Sequence, residues 1–376
     1  MTKESDDSND CVKPKLTTIP PQLTCVADYE AMVPQFVPGP VFDYIAGGSG
    51  NEASLRANAQ AFTRWQLMNR LLVDCSRGDT RVSLLQQDFR HPILLAPVAY
   101  QKLVHHQGEV ESARAANALE AGMVVSTLSS CSLEDISQVH SGQRWFQLYF
   151  QPDRSHTLDL IRRAATAGYS ALVVTLDATI QATNRRAQRS GFTFPRGVKA
   201  VNLQRYAAPP PVSLTPNQSV IFQGMMAEAP KWEDLQWLLQ NTPLPIVVKG
   251  VLHPDDAQRL VALGVAGLVV SNHGGRALDG VPAAIECLPA IRERVGPDRL
   301  LLVDGGIRSG YDVFKALALG ADAVLIGRPQ LYGLAVAGAV GVAHVLRILR
   351  DELELCMALS GCPTVSDIGL HHVRQA

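Results

Sequence analysis

The sequence predicts an α/β protein, a (β/α)8 barrel preceded by a helical segment, and three observations carry that prediction. Eight short apolar runs follow Arg90: Ile93–Ala99, Met123–Thr127, Trp145–Tyr149, Ala171–Leu176, Ile246–Lys249, Gly267–Ser271, Leu300–Asp304 and Ala323–Ile326. They are apolar throughout rather than alternating, as strands buried on both faces require. Amphipathic stretches such as Leu158–Gly168, Asp255–Gly264 and Tyr311–Gly320 lie between them and read as helices. Eight β/α units in about 250 residues fit a closed barrel. A doubly wound open sheet is the alternative, but no GxGxxG follows the first strand.

The remaining segments are read in chain order. Residues 1–22 are expected to form a flexible arm, and residues 23–376 a single barrel domain. From Val26 to Arg70 the pattern is helical, broken at Ala46-Gly47-Gly48-Ser49-Gly50. More than forty residues separate the fourth strand from Lys231, including Pro209-Pro210-Pro211. An insertion of that length beside a catalytic face reads as a lid over about 187–230 or as a plain surface excursion. Its Phe222, Met225 and Met226 either cover a ligand or pack on the barrel.

Composition bounds the function. Only 18% of the 376 residues are charged while 47% are hydrophobic, so a large core is available. The net charge of -1 argues against a nucleic-acid partner, which would demand a basic excess. No run reaches the ~18 uninterrupted apolar residues of a membrane span. The nearest, Gly333 to Leu346, contains His344 and reads as a helix packed inside the protein, so no membrane partner is expected. The first ten residues are polar and lack the apolar stretch of a secretory signal. Seven cysteines without a CxxC pair fit neither a disulfide scaffold nor a zinc site. A cytoplasmic location follows as the expectation, with no metal.

The strand ends carry the candidate chemistry, as they do in barrel enzymes. Ser271-Asn272-His273-Gly274-Gly275-Arg276 places an imidazole and a guanidinium three residues apart on a glycine-loosened loop. One can take a proton and the other can grip a carboxylate with two prongs. His273 alone could equally be a structural histidine. Asp177, at another strand end, could orient its imidazole or simply cap a loop. Lys249 closes an apolar strand and is either a snorkelling edge residue or a cation held beside a ligand. Asp304-Gly305-Gly306-Ile307-Arg308 and Gly327-Arg328-Pro329 end the last two strands. Glycine amides and arginines at that corner suit a phosphate.

Together these segments, with Phe42-Asp43-Tyr44, Ala96-Pro97-Val98-Ala99, Thr127-Leu128-Ser129-Ser130 and Phe146-Gln147-Leu148-Tyr149, resemble the FMN-dependent L-2-hydroxy acid oxidases and dehydrogenases. The likeness runs from about Ile19 to Ile368. It implies FMN as cofactor, a 2-hydroxy acid as substrate, O2 as acceptor with H2O2 as product, and a homotetramer. By position it implies that His273 is the base and Asp177 its partner. Arg276 and Tyr44 would hold the substrate carboxylate and Tyr149 its hydroxyl. The backbone of Pro97, Val98 and Ala99 would approach the flavin. Ser129, Gln147, Thr175 and Ser271 would bond the ring and ribityl chain, with Lys249 at the ring edge. Asp304 would bind ribityl hydroxyls, and Gly305, Gly306, Ile307, Arg308, Gly327 and Arg328 would hold the phosphate.

One departure stands out. The family places a second carboxylate-binding arginine seven residues after the aspartate, where this chain has Asn184, followed by Arg185 and Arg186. Either Arg185 or Arg186 replaces it through a shifted loop, or Arg276 is the one fixed clamp. Losing such a charge-assisted contact costs about 1.5–3 kcal/mol. A bulkier or different acid is then expected, and Cys131, where glycolate oxidases carry tryptophan, points the same way. A dehydrogenase using another acceptor, a phosphosugar isomerase or aldolase on the same barrel, and a flavin-binding barrel without turnover are the competing readings.

Overall fold

The computed structural model describes residues 12–207 and 213–376. Pro209-Pro210-Pro211 and the first eleven residues of the expected arm therefore lie outside the described residues. The eight barrel strands are β1 (Ile93–Leu95), β2 (Gly122–Ser126), β3 (Arg144–Leu148), β4 (Ala171–Thr175), β5 (Ile246–Val251), β6 (Gly267–Val270), β7 (Leu300–Asp304) and β8 (Ala323–Ile326). Each pairs in parallel with its sequence neighbour, and β8 pairs with β1 to close the ring.

Alternation along each strand divides the core into two layers. Leu94, Val124, Trp145, Val173, Val247, Val269, Leu302 and Leu325 fill the barrel interior. Ile93, Met123, Phe146, Leu172, Val248, Leu268, Val303 and Val324 face the surrounding helices. This is why every run reads as continuously apolar. A hairpin of Val82–Leu84 and Gln87–Phe89 plugs the N-terminal end, with Phe89 edge-on to Trp145 at 5.8 Å between centroids.

The helices are set by local signals. Ahead of the barrel come α1 (Val26–Met32), α2 (Gly39–Ala46) and α3 (Ala53–Ala61). Around it run α4 (Glu109–Ala118), α5 (Leu133–Val139), α6 (Arg154–Thr166), α7 (Arg185–Arg189), α8 (Trp232–Gln240), α9 (Pro254–Leu263), α10 (Ala284–Val295), α11 (Gly310–Ala318) and α12 (Arg328–Ser360). Asp153 caps α6, Pro254 opens α9, and Gly264 ends α9 at φ +99°. Ser309 and Asp312 form a capping box on α11. α12 is long and apolar enough to cross a membrane by length and composition alone. It is broken at Ala337 and Gly338, and Gly333 to Val336, Val342, Val345 and Leu346 are buried, so this helix packs inside the protein.

Candidate active site

A cavity of about 590 Å³ opens at the C-terminal ends of the strands, within the range of small-molecule and cofactor sites. Tyr44, Pro97, Val98, Ala99, Tyr149, Thr175, Asn184, Lys249, His273, Arg276, Asp304, Gly305, Gly306, Ile307, Arg308, Gly327 and Arg328 all line it. Residues scattered over almost three hundred positions thus meet on one surface.

His273 sits on a tight turn. His273, Gly274 and Gly275 adopt φ of +58°, +63° and +74° in succession. A histidine in this region is strained, and such strain collects at functional sites. The turn is held from below: Ser271 Oγ accepts from the His273 amide at 3.0 Å, and Asn272 and Asn58 pair through both amides at 2.8 Å. Gly275 is required, because a Cβ there would lie 2.6 Å from the Leu55 nitrogen. The resulting orientation sets Nδ1 of His273 2.9 Å from Oδ1 of Asp177 and turns the ring's other edge to the cavity.

Asp177 reaches His273 because β5 bulges. The β5–β6 register shifts between Lys249 and Val251, and the extra residue is Gly250 at φ +104°. A Cβ on Gly250 would lie 2.5 Å from the Asp177 side chain. Burial raises the Asp177 pKa, but His273 and then Lys249 outweigh it and hold the carboxyl below its ordinary value. Lys249 is buried and paired, with Nζ 2.8 Å from Asp304 Oδ2 and 2.7 Å from Ser271 Oγ. Burial alone would lower the ammonium's pKa; Asp304 and Asp177 raise it, so the charge persists. The snorkelling alternative is thereby set aside.

Arg276 is anchored on one side and open on the other. Its Nη1 donates to the carbonyls of Tyr44 at 2.8 Å and Gly47 at 3.0 Å, while the guanidinium lies 5.0 Å from the Tyr44 ring centroid. Among the described residues no protein acceptor engages Nη2. Tyr44 stacks on Phe192 at 4.3 Å, and Phe194 packs edge-on against both Tyr44 and Tyr100. Tyr149 is kept protonated, since burial and then Asp177 push its phenol above the ordinary range.

Beside Arg276, Arg328 shares its backbone anchors, donating to the carbonyls of Ile45, Gly274 and Gly47 at 2.9–3.0 Å. Burial and then neighbouring Arg276 press its pKa down to about 10. Gly306 has φ +85°, and a Cβ there would overlap the Asn58 carbonyl. Thr175 Oγ1 and Asp304 Oδ1 line the cavity without a protein partner, and Gln147 Nε2 and Asp177 Oδ2 are likewise buried and unpaired. Buried polar atoms are seldom left so, and each costs about 1–3 kcal/mol. Unpaired polar atoms on Thr175 and Asp304, with Arg276, Arg308 and Arg328 on the same wall, fit a polar ligand that carries an anionic group.

Three expectations need correction. Ser129 does not face the cavity: its hydroxyl donates to the Cys131 carbonyl at 2.6 Å and accepts from Asn202 at 2.9 Å, and Ser126, the last residue of β2, lines the wall instead. Arg185 does not replace the missing arginine. Its guanidinium binds Asn51, and Arg186 binds Glu52, both on a separate surface depression. Asn184 does line the cavity, but its Oδ1 caps α7 through the Ala187 amide at 3.0 Å and its Nδ2 reaches the Tyr44 carbonyl at 3.3 Å. Cys131 also lies outside the cavity lining, its thiol bonded to the Gln107 carbonyl at 3.3 Å, so it does not enlarge the site. Of the insertion, Met225 lines the cavity while Phe222 is exposed. Tyr100, Leu128 and Phe194 are wall residues that sequence reasoning missed.

Residues 34–375 match the FMN-dependent dehydrogenase family. The chain belongs to that family. It is 54% identical over 350 residues to an L-lactate oxidase of Alicycliphilus denitrificans, covering 93% of this chain and 96% of that protein. Human 2-hydroxyacid oxidase 1 is 39% identical, with 94% and 97% covered. A solved structure of mandelate oxidase with benzoyl-formic acid superposes with a TM-score of 0.85 at 41% identity, covering 94% of this chain and 98% of that one. The family's cofactor is FMN, and the phosphate corner, unpaired polar atoms and buried lysine fit it.

Proposed function

We propose that the chain is an FMN-dependent (S)-2-hydroxy-acid oxidase that turns its substrate and O2 into the 2-oxo acid and H2O2. One observation carries this reading: the Asp177-backed imidazole opens onto the same cavity as the free edge of Arg276 and the protonated phenol of Tyr149. The oxidases among its relatives support it further. The FMN would be held by the backbone of Pro97 to Ala99, by Gln147, Thr175, Lys249, Ser271 and Asp304, and by Gly305, Gly306, Ile307, Arg308, Gly327 and Arg328 at the phosphate. When bound, FMN supplies the two-electron acceptor for the substrate α-carbon and passes the pair to O2.

The protein's own residues do the rest. Arg276 and Tyr44 fix the carboxylate, which sets the α-carbon and hydroxyl in place. Tyr149 donates to the substrate oxygen. His273 accepts the hydroxyl proton at its cavity-facing nitrogen, and Asp177 stabilises the imidazolium that forms. Asn184 contributes a neutral wall, so Arg276 is the one charged clamp.

The enzyme would act in the cytoplasm as a homotetramer. Six cysteines are free among the described residues, in keeping with a reducing compartment. Product stoichiometry tests the activity: with O2, one H2O2 and one 2-oxo acid should appear per (S)-2-hydroxy acid consumed. Turnover that proceeds only with an added carrier would favour a dehydrogenase.

A further inference from the structure

Three arginines line the cavity, and they are held in two different ways. Arg276 and Arg328 are tied to the backbone carbonyls of Tyr44, Ile45, Gly47 and Gly274, which belong to the site itself. Arg308 is held from outside the barrel. Its Nη1 donates to the carbonyl of its own neighbour Ile307 at 3.0 Å, and its Nε reaches Oε2 of Glu30 at 3.4 Å, 278 positions away on α1. Among the described residues no other side chain bonds it, and no protein acceptor engages Nη2. The Glu30 contact is longer than the 2.7–2.9 Å of a tight charge-assisted bond, so it aims the guanidinium and leaves its charge open to an anion.

Glu30 is itself fixed. Its other oxygen accepts from the Tyr332 hydroxyl at 2.9 Å. Tyr332 is fully buried one turn after Arg328 on α12, with its ring centroid 5.9 Å from the Arg308 guanidinium carbon. α1 packs along α12, where the Tyr29 hydroxyl bonds His344 Nδ1 at 2.8 Å. Asp28 closes the start of α1 by accepting from the Thr24 and Cys25 amides at 2.8 and 3.0 Å. Upstream, Leu16 N donates to the Val336 carbonyl at 2.9 Å. A helix seated this way presents Glu30 at one place. The side chains of Glu30 and Arg308 are 39% and 30% exposed, and an ion pair so open to water adds little to folding stability. Its consequence lies in binding. A loose arginine has many rotamers, and freezing it when a ligand arrives costs affinity.

We infer that Glu30, braced by Tyr332, is a positioning residue that orders Arg308 for the cofactor phosphate. The inference rests on the FMN reading given above, in which Arg308 holds that phosphate. The test uses the full-length protein, stripped of flavin and titrated by flavin fluorescence with FMN and separately with riboflavin, which lacks the phosphate. Glu30→Ala should weaken FMN binding about 3–10-fold, the worth of ordering one long side chain, and leave riboflavin binding within twofold. Glu30→Gln can donate its amide to the Tyr332 oxygen and still accept from Arg308, so it should hold FMN within twofold of wild type or more tightly. Tyr332→Phe keeps the buried ring but removes the brace, and should weaken FMN at least twofold with riboflavin unchanged. In an Arg308→Met background Glu30→Ala should cause no further loss. Unchanged or tighter FMN binding in Glu30→Ala or Tyr332→Phe would overturn the inference. Equal losses of FMN and riboflavin, or a full loss that persists without Arg308, would make Glu30 a structural residue of α1 and overturn it too. A wild type that binds riboflavin as tightly as FMN would overturn it together with the phosphate assignment, and one that binds neither would remove the flavin reading itself.

Discussion

Replacing Asp177 with Asn isolates the part of the site that sequence and structure tie together most closely. The carboxylate accepts from His273 Nδ1 at 2.9 Å and is held ionised despite burial. Asparagine keeps the shape and can still accept a hydrogen bond, so the ring stays oriented while the charge disappears. A hydrogen bond to a charged group contributes about 1.5–3 kcal/mol and a neutral one about 0.5–1.5. The imidazolium formed during turnover therefore loses roughly 1–2 kcal/mol, which slows flavin reduction about 5–30-fold. If the amide presents its NH2 to Nδ1 instead, the ring switches tautomer, the cavity-facing nitrogen loses its lone pair, and the loss reaches about 10⁴. The assay is anaerobic stopped-flow bleaching of the flavin at saturating substrate, with FMN content measured in parallel. The pH dependence has a definite sign. Because the folded pKa of Asp177 is lowered, its stabilising pairing is present above the unfolded value and fades as pH falls through the folded one. The wild type should thus lose reduction rate and stability on the acid side, and D177N should lack that part of the decline. A variant with full FMN and a rate within twofold of wild type would refute the dyad.

Further outcomes follow from the same geometry. His273→Ala should keep FMN bound yet abolish reduction by substrate; absorbance and stopped-flow spectra report both. Arg276→Ala should weaken substrate binding by about 1.5–3 kcal/mol, or roughly 10–150-fold, whereas Asn184→Ala should change it far less, as competitive inhibitor titrations would reveal. Gly306→Ala pushes a methyl into the Asn58 carbonyl at a φ that alanine resists, costing at least about 1–3 kcal/mol. It should lower both the melting temperature and FMN retention on gel filtration.

The barrel was legible because parallel strands buried on both faces leave uninterrupted apolar runs. The strand ends were less so. The first apolar run, Ile93–Ala99, outlasts its strand: β1 ends at Leu95, the Ala96 amide makes one more bond to the Ile326 carbonyl at 2.9 Å, and Pro97 has no amide hydrogen to continue. His273, Asp177, Arg276 and Lys249 were recognisable as residue types at strand ends. Their mutual contact depends on the Gly250 bulge and the left-handed turn at His273, which no periodicity records. Ser129 and Arg185 fail for a shared reason. Each sits one or two residues from a position that faces the cavity, and nearby partners, Cys131 and Asn202 for one and Asn51 for the other, decide which way the side chain turns.

The site removes two electrons from a 2-hydroxy acid through a flavin. Anaerobic addition of one equivalent of (S)-lactate, and separately (S)-mandelate, to the purified holoprotein tests it most directly. The oxidised-flavin absorbance should be lost with at least one of them and with neither (R)-enantiomer, and should recover on admitting O2 with H2O2 released. A flavin that stays oxidised across a panel of (S)-2-hydroxy acids, or a protein that binds no FMN, would contradict it.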